Sequence, residues 1–392
     1  MKIQSLDLKA QYEAIRDEIN AKLLELAESQ MFILGREVEA LEEEMAQYCG
    51  ADYAVGVSSG SDALIVSLMA LGIGRDDVVV TTPFTFFATA GAAARVGARI
   101  VFTDINPDTY NMDPQLLESL LQQETKKGEK TRVKAVIPVH LYGQCADMDS
   151  IRNAADAAGI PVIEDAAQAV GADCPFRGET KKACAMSTMG TLSFFPSKNL
   201  GAFGDGGMVI TGDKNLAETI RAMRMHGESR RYFYDMLGGN FRLDSIQAAV
   251  LRIKLKYLSG WLEGRREKAD YYRRALTGKG LVEAGLVALP EEVYRDGGIE
   301  NYHTYHQYVI RSPRRDELQQ FLMEQGIRTA IYYPLPLHLQ KCFSDLGYRE
   351  GDFPVAEKAS HEVLALPIYP ELTSEQQDYI VEKIAEFHGI HR

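Results

Sequence analysis

The stretch Ser193-Phe-Phe-Pro-Ser-Lys-Asn-Leu-Gly-Ala-Phe-Gly-Asp-Gly-Gly207 reads as the end of a short buried strand, a turn carrying Lys198, and a loop of four glycines. A lysine just after an apolar strand, walled by aromatic rings and Gly-rich backbone, stands where a sheet can hand it to a pocket. Burial disfavours the charged ammonium, and an unprotonated amine can form a Schiff base with a carbonyl. Taken alone, a turn lysine is a surface group. What argues otherwise is its company at other strand ends.

Those strands emerge from the alternation of apolar runs. Ala54–Val57, Val78–Thr82, Arg99–Thr103, Val133–Val139, Pro161–Glu164, Thr191–Phe195 and Met208–Thr211 are strand candidates. Between most of them lie helical patterns at Asp62–Leu71, Ala88–Val96, Pro114–Gln122 and Met148–Ala158. Short apolar runs joined by helices predict a doubly wound, mostly parallel seven-stranded α/β sheet. In such sheets ligands collect beyond the carboxyl ends of the strands. Helices are also expected over residues 8–28 and from Gly35, where Val38, Leu41, Met45 and Tyr48 share one face and Gly50 ends the run. A further helix starts at Asp244, its plausible N-cap. The character then changes to a charged helix, a Gly-rich turn and a shorter α/β pattern: strands at Tyr305–Ile310 and Arg328–Tyr333, helices at Arg315–Gln325 and Ser374–Phe387. This places a boundary near residue 255, with a large domain over 1–255 and a smaller α/β domain over 256–392.

Composition bounds the function. A chain of 392 residues, 46% hydrophobic and 25% charged, carries a sizeable core and suggests two domains. A formal net charge of -12 argues against a nucleic-acid surface and mildly against anionic membranes. No run is long enough to span a membrane, and Met1-Lys-Ile-Gln-Ser-Leu-Asp7 lacks an apolar signal region, so a cytoplasmic protein is expected. Cys49, Cys145, Cys174, Cys184 and Cys342 are odd in number and form no CxxC pair, which fits thiols in a reducing compartment. No histidine lies near Cys174 and Cys184, and there is no HExxH, so no metal site is expected.

The strand ends supply the chemistry in turn. Val57-Ser-Ser-Gly-Ser-Asp-Ala-Leu64 is a strand, a small-residue turn and a helix start. Gly60 lets backbone come close, and the amides of Ser61 and Asp62 would form an anion site on the helix N-terminus. Such turns more commonly do nothing but cap a helix. Thr82-Pro-Phe-Thr-Phe-Phe-Ala-Thr89 offers rings, one of which could face a cleft and stack on a flat heteroaromatic ligand. His140, in Pro138-Val-His-Leu-Tyr-Gly143, is either a site residue or a satisfied structural histidine. Asp165, at the end of Ile163-Glu-Asp-Ala-Ala-Gln-Ala169, would be stabilised by a protonated ring nitrogen, with Gln168 in reach of the same ligand. Glu164 alternates to the opposite side. Lys198 follows Asp165 by 33 residues, which suits two neighbouring strands, and Ser193 lies on the strand leading to it. An amine for an aldehyde, a carboxylate for a pyridinium, an aromatic for a ring face and a helix N-terminus for a phosphate together describe pyridoxal 5'-phosphate.

With those residues in view, the chain resembles the DegT/DnrJ/StrS family of sugar aminotransferases, within the aspartate-aminotransferase-like, fold type I class of pyridoxal enzymes. The resemblance covers nearly the whole chain. It is carried by Ser59-Gly-Ser-Asp-Ala-Leu, Pro83-Phe-Thr-Phe-Phe-Ala-Thr, His140-Leu-Tyr-Gly-Gln, Glu164-Asp-Ala-Ala-Gln, Ser193-Phe-Phe-Pro-Ser-Lys-Asn-Leu-Gly, Gly238-Gly-Asn-Phe-Arg-Leu-Asp and Tyr333-Pro-Leu-Pro-Leu-His-Leu-Gln. It implies that Lys198 is the Schiff-base lysine and proton shuttle, that Asp165 holds the pyridine nitrogen and Gln168 the phenolic oxygen, and that Phe86 stacks on the ring. Ser61, Asp62 and Ser193 would bind the phosphate, and Asn240 would reach the phosphate of the neighbouring subunit in a homodimer. Arg242, Tyr332, Tyr333 and His338 would lie on the substrate side, Tyr332 standing where some relatives carry histidine. Pro175–Ala185, with Lys181 and Lys182, looks longer and more basic than is usual in the family.

The activity so implied is a two-step transamination. L-glutamate would leave its amino group on the cofactor, as pyridoxamine 5'-phosphate, and a UDP- or dTDP-linked 3-keto sugar would collect it, with a 4-keto sugar as the alternative. Related dehydratases carry histidine at the lysine position, so Lys198 favours amination. Two other readings remain: a transaminase of amino acids alone, and a regulatory or binding protein without turnover.

Overall fold

The computed structural model describes residues 1–126 and 133–390, with side chains omitted at 125 and 126. Its centre is a sheet of seven strands: β1 (Tyr53–Val57), β2 (Val78–Thr81), β3 (Arg99–Phe102), β4 (Val133–Val136), β5 (Ile163–Asp165), β6 (Met189–Ser193) and β7 (Gly207–Thr211). Two ladders, β3-β2-β4 and β5-β6-β7-β1, are joined by parallel bridges between Val136 and Val162 and between Val139 and Asp165. The spatial order is therefore β3-β2-β4-β5-β6-β7-β1. Only β7 runs against its neighbours. All seven strand candidates are present, and the α/β fold expected of the chain is the one found.

Alternation along the strands sorts side chains into two cores. Ala54, Val78, Val80, Leu192, Met208 and Ile210 face a cluster with Val38, Leu41 and Met45 of the helix Arg36–Cys49. Val55, Val57, Val79, Ile100 and Val209 face the opposite cluster, with Leu64, Leu68 and Ala90. The connecting helices form where their patterns predict: Gly60–Ala70, Phe87–Arg95, Pro114–Lys126 and Met148–Ala157. Gly50 closes the helix before β1 at φ +70°, a left-handed conformation that glycine adopts without a Cβ clash.

Beyond residue 255 the helix Leu258–Gly278 leads to a two-stranded antiparallel ladder of Tyr308–Arg311 and Val363–Leu366. A third cluster gathers Tyr272, Tyr305, Tyr308, Leu364 and Ile380, and it includes Ile3 from the other end of the chain. One sequence expectation differs here. Arg328–Tyr333 is not a strand: it makes a single bridge, Ala330 to Ala365, and Ala330–Leu335 instead lines a cavity. Its place in the ladder is taken by Val363–Leu366. The Pro175–Ala185 stretch holds most of a hairpin, Asp173–Phe176 with Glu179–Lys182, in which Lys182 Nζ pairs with Asp173 at 2.9 Å.

A buried carboxylate locks β5. Glu164 accepts from His140 Nε2 at 2.9 Å, Cys184 N–H at 2.9 Å, Met186 N–H at 2.9 Å and Ser187 Oγ at 2.7 Å. The Ala146 N–H donates to His140 Nδ1, so the ring proton lies on Nε2 and points at Glu164. His140 is thus a structural histidine, and Glu164 points away from the ligand side as its alternation predicts. Glu164→Ala would leave several buried donors without an acceptor. We expect it to destabilise the fold by about 3–5 kcal/mol, read as a lowered denaturation midpoint, with Glu164→Gln less damaging.

Candidate active site

The strand order brings five carboxyl ends to one edge. The turn after β1, the turn after β2, the ends of β4 and β5 and the loop after β6 open onto one cavity of about 830 Å³. Gly60, Ser61, Phe86, Asp165, Gln168, Ser193, Lys198, Tyr332 and Tyr333 all line it. Nine residues chosen from separate segments of the sequence therefore share one space.

The floor depends on close backbone approach. Val57, Gly207 and Ser193 are in register across β1, β7 and β6. A Cβ on Gly207 would come within 2.3 Å of the Ser59 carbonyl carbon, and one on Gly60 within 2.7 Å of the Ser193 Cβ. Ser59 caps the helix Gly60–Ala70 by accepting the Asp62 N–H at 3.0 Å. The helix start thus faces Ser193 across a gap that only glycine permits, a cradle suited to a phosphate. The Asp62 side chain turns back to accept from Ser58 Oγ at 2.6 Å and Ser59 Oγ at 3.1 Å, so Asp62 shapes this turn and does not line the cavity.

The turn carrying Lys198 is set by its own backbone. The Lys198 N–H donates to the Phe195 carbonyl at 2.8 Å. A Cβ on Gly201 would lie 2.3 Å from the Pro196 carbonyl oxygen, so the turn closes only with glycine there. Beneath it, buried Lys254 donates from Nζ to the Gly201 carbonyl at 2.7 Å. The Lys198 amine opens to the cavity but is otherwise crowded by protein. Desolvation pushes its pKa down to about 8, and the charge of Asp165 opposes this only in part.

Asp165 is buried at the end of β5. Its Oδ2 accepts from Thr89 Oγ1 at 2.8 Å and its Oδ1 from the Ala167 N–H at 3.2 Å. Thr85 Oγ1 is 3.1 Å from Thr89 Oγ1; with the Thr89 proton directed at Asp165, Thr85 is the donor in that pair. Gln168 accepts the Tyr142 N–H through Oε1 at 2.8 Å and donates from Nε2 to Tyr333 Oη at 3.0 Å, which leaves one Nε2 hydrogen for a ligand. Burial raises the Tyr333 phenol. Phe86 is exposed at the cavity wall, with its ring centroid 6.3 Å from that of Tyr333.

Besides Asp62, three more expected residues lie outside the lining. Asn240 is exposed, bridged to Met225 beside the hairpin of Glu228–Arg230 and Phe233–Tyr234. Arg242 is bridged to Val57, and its buried Nε has no partner among the described residues. His338 is buried against Glu357, its Nε2 3.0 Å from Oε1, and desolvation lowers its pKa; the neighbouring Leu337 is the one at the cavity. Sequence reading missed Thr85, Thr89, His306 and Arg265. Thr89 was visible as a polar residue breaking an aromatic run. Arg265 sits in a charged helix where nothing in the pattern singles it out.

Comparison with known proteins agrees with this geometry. The DegT/DnrJ/EryC1/StrS aminotransferase family model matches residues 13–385. A Geobacillus stearothermophilus protein named pleiotropic regulatory protein is 51% identical, over 99% of this chain and 99% of its own. The UDP-2-acetamido-2-deoxy-3-oxo-D-glucuronate aminotransferase of Pseudomonas aeruginosa is 41% identical, over 94% of this chain and 96% of its own. The solved structure of NtdA from Bacillus subtilis, with bound cofactor PMP, superposes with a TM-score of 0.86 at 30% identity, covering 98% of this chain and 85% of that one. With family model, relatives and fold in agreement over nearly its full length, the chain belongs to the DegT/DnrJ/EryC1/StrS aminotransferase family.

Proposed function

We propose that this aminotransferase uses pyridoxal 5'-phosphate to convert a nucleotide-linked keto sugar into the amino sugar, with L-glutamate as donor. The observation that carries this reading is an amine with a pKa near 8 in the same cavity as a buried carboxylate. The cradle fits the group: the gap kept open by Gly60 and Gly207 takes the phosphate, with Ser61 and Ser193 beside it. Asp165 would hold a proton on the ring nitrogen, Gln168 would give its spare hydrogen to the ring oxygen, and Phe86 would cover a ring face. When bound, the cofactor supplies the electron sink and carries the amino group between the two substrates.

Lys198 does the proton work. Its neutral amine would take the proton from the donor's α-carbon and pass it to the cofactor's carbonyl carbon. In the second half of the cycle it would move a proton the opposite way, to the sugar carbon that gains the amino group. Thr85 and Thr89 hold Asp165 in place, and the Glu164 lock keeps β5 in register beneath it. Tyr332 and Tyr333 wall the substrate side; Arg242 and His338 act there only through their neighbours. The sugar assignment rests on relatives such as the Pseudomonas aeruginosa enzyme, whose name specifies a UDP-linked 3-oxo sugar. A UDP- or dTDP-linked 3-keto sugar is therefore favoured, with a 4-keto sugar second.

A homodimer completes the site in this reading. Phe86, Phe195 and Phe203 near the cavity, and Tyr232, Phe233 and Leu237 around the hairpin, are exposed large apolar side chains, Leu237 to 88%. A second copy would cover them and bring its Asn240 to the phosphate. Residues 1–255 would hold the cofactor and 256–392 form the smaller domain, with the break between the helices Ser245–Leu255 and Leu258–Gly278. Among the described residues no helix is long and apolar enough to cross a membrane, which fits work in the cytoplasm.

The name of the Geobacillus stearothermophilus relative favours one second reading, a regulator without turnover. Incubating the enzyme with glutamate and a panel of UDP- and dTDP-linked 3- and 4-keto sugars, and weighing the products by mass spectrometry, separates the two. An amino sugar is expected, and a protein that binds DNA but aminates nothing would reverse the assignment. Lys198→Ala should abolish turnover and the yellow colour of the loaded protein. In the wild type, uptake of the cofactor by apoprotein should quicken as pH rises through about 8 and level off above it, because the lowered pKa frees the amine there. Thr89→Val removes a hydrogen bond to a charged group, worth about 1.5–3 kcal/mol, and should lower kcat/KM roughly 10- to 100-fold in steady-state assays.

A further inference from the structure

Three arginines among the described residues are buried: Arg224, Arg265 and Arg315. Two of them have a carboxylate. Arg224 pairs with Glu42 at 2.5 Å and Arg315 with Asp316 at 2.6 Å. Arg265 has none among the described residues. Its Nη1 donates to three backbone carbonyls, Tyr305 at 2.9 Å, Ile368 at 3.0 Å and His306 at 3.5 Å. Its Nε and Nη2 hold no hydrogen bond among the described residues, yet neither is sealed away from open space, and the side chain lines the cavity that contains Lys198. A guanidinium with one edge spent on carbonyls and the other free in a pocket is a fork set for an anion.

Its surroundings sharpen the point. Burial pushes the Arg265 pKa down to about 10, and only the more distant charge of Glu371 opposes this. The positive charge is thus poorly matched inside the protein, a cost that a bound anion would relieve. Desolvation, helped by the charges of Lys198 and Arg265, holds the His306 imidazole neutral, and His306 lines the same cavity as both. His306 is fixed in turn by Asn199, whose Oδ1 lies 3.2 Å from its Nδ1. Lys198 and Arg265 line the one cavity, and in an amino acid the carboxylate is bonded directly to the carbon whose proton Lys198 takes.

We propose that Arg265 binds a carboxylate of the amino donor through its free Nε and Nη2 edge, and so selects amino acids over other amines. The proposal rests on the reading of the chain as a transaminase. It also assigns the Nη1 staple a purpose: three carbonyls hold the fork rigid, so little entropy is lost when the carboxylate docks.

The test uses Arg265→Lys and Arg265→Gln in the cofactor-loaded protein, the lysine variant keeping a cation for the carbonyls should glutamine fail to fold. Bleaching by L-glutamate reads the first half-reaction, return of colour with the keto sugar reads the second, and calorimetric titration with glutarate, which has no amine to react, reads carboxylate binding alone. Loss of a bidentate charge-assisted contact should slow the glutamate step roughly 100-fold and weaken glutarate at least about tenfold. The return step should stay within about threefold of the wild type. If both steps fall together, or the loss follows unfolding, Arg265 is only a staple and the proposal is overturned. If only the return step falls, the guanidinium serves a phosphate of the sugar nucleotide, which overturns it too. A wild type that takes up no cofactor would defeat the transaminase reading instead, and the glutarate titration would still decide Arg265.

Discussion

An amine and an acid share one partly dry cavity, and the protein around them is arranged to make that tolerable. Desolvation drives Lys198 toward neutrality, while Asp165 keeps its own charge company with two donors, Thr89 and the Ala167 N–H. Without those donors the buried carboxylate would have no partner to match it, and its position at the end of β5 would not be fixed. Had the lysine been solvated, its amine would give up its proton only at about pH 10. The site therefore needs two opposite environments a short distance apart. Strand ends provide them, because adjacent strands are about 5 Å apart and each delivers its own loop.

The same constraint explains the glycines and the buried polar groups nearby. Gly60, Gly201 and Gly207 sit where a Cβ would strike neighbouring atoms within 2.7 Å, so the loops can close around a ligand only without side chains there. Glu164 and Lys254 act from beneath. One fixes β5 through four donors, the other holds the Gly201 carbonyl of the lysine turn. Neither lines the cavity, yet each governs a residue that does. Burying such groups is costly unless they are matched, and here Glu164 is matched by His140 and the loop ahead of β6, Lys254 by the turn that carries Lys198. Arg265 breaks the pattern, since half of its fork is left over, and that remainder points to a ligand.

Much of this was legible in the chain. Seven apolar runs became seven strands, because parallel strands buried on both faces leave a continuous apolar signal. Asp165, Lys198 and Gly60 were readable because each closely follows such a run, and Ser193 because it is a polar residue within one. The misreadings share a cause. Arg328–Tyr333 has the composition of a strand but spends its backbone on a cavity wall, and Val363–Leu366 takes the ladder place, a choice made by packing and invisible to local pattern. His338 carries a motif's polar residue yet turns to Glu357, because a buried imidazole takes the nearest acceptor.

From residue order alone came the sheet, the helices that cover it, and the amine and acid at its edge. These depend on periodicity and on the position of polar residues after apolar runs, which are local properties. Which strand lies beside which, which hydroxyl supports the acid, and which arginine keeps a free edge were decided only in three dimensions. Those outcomes turn on contacts between segments up to hundreds of residues apart, where distance and desolvation, rather than spacing, set the chemistry.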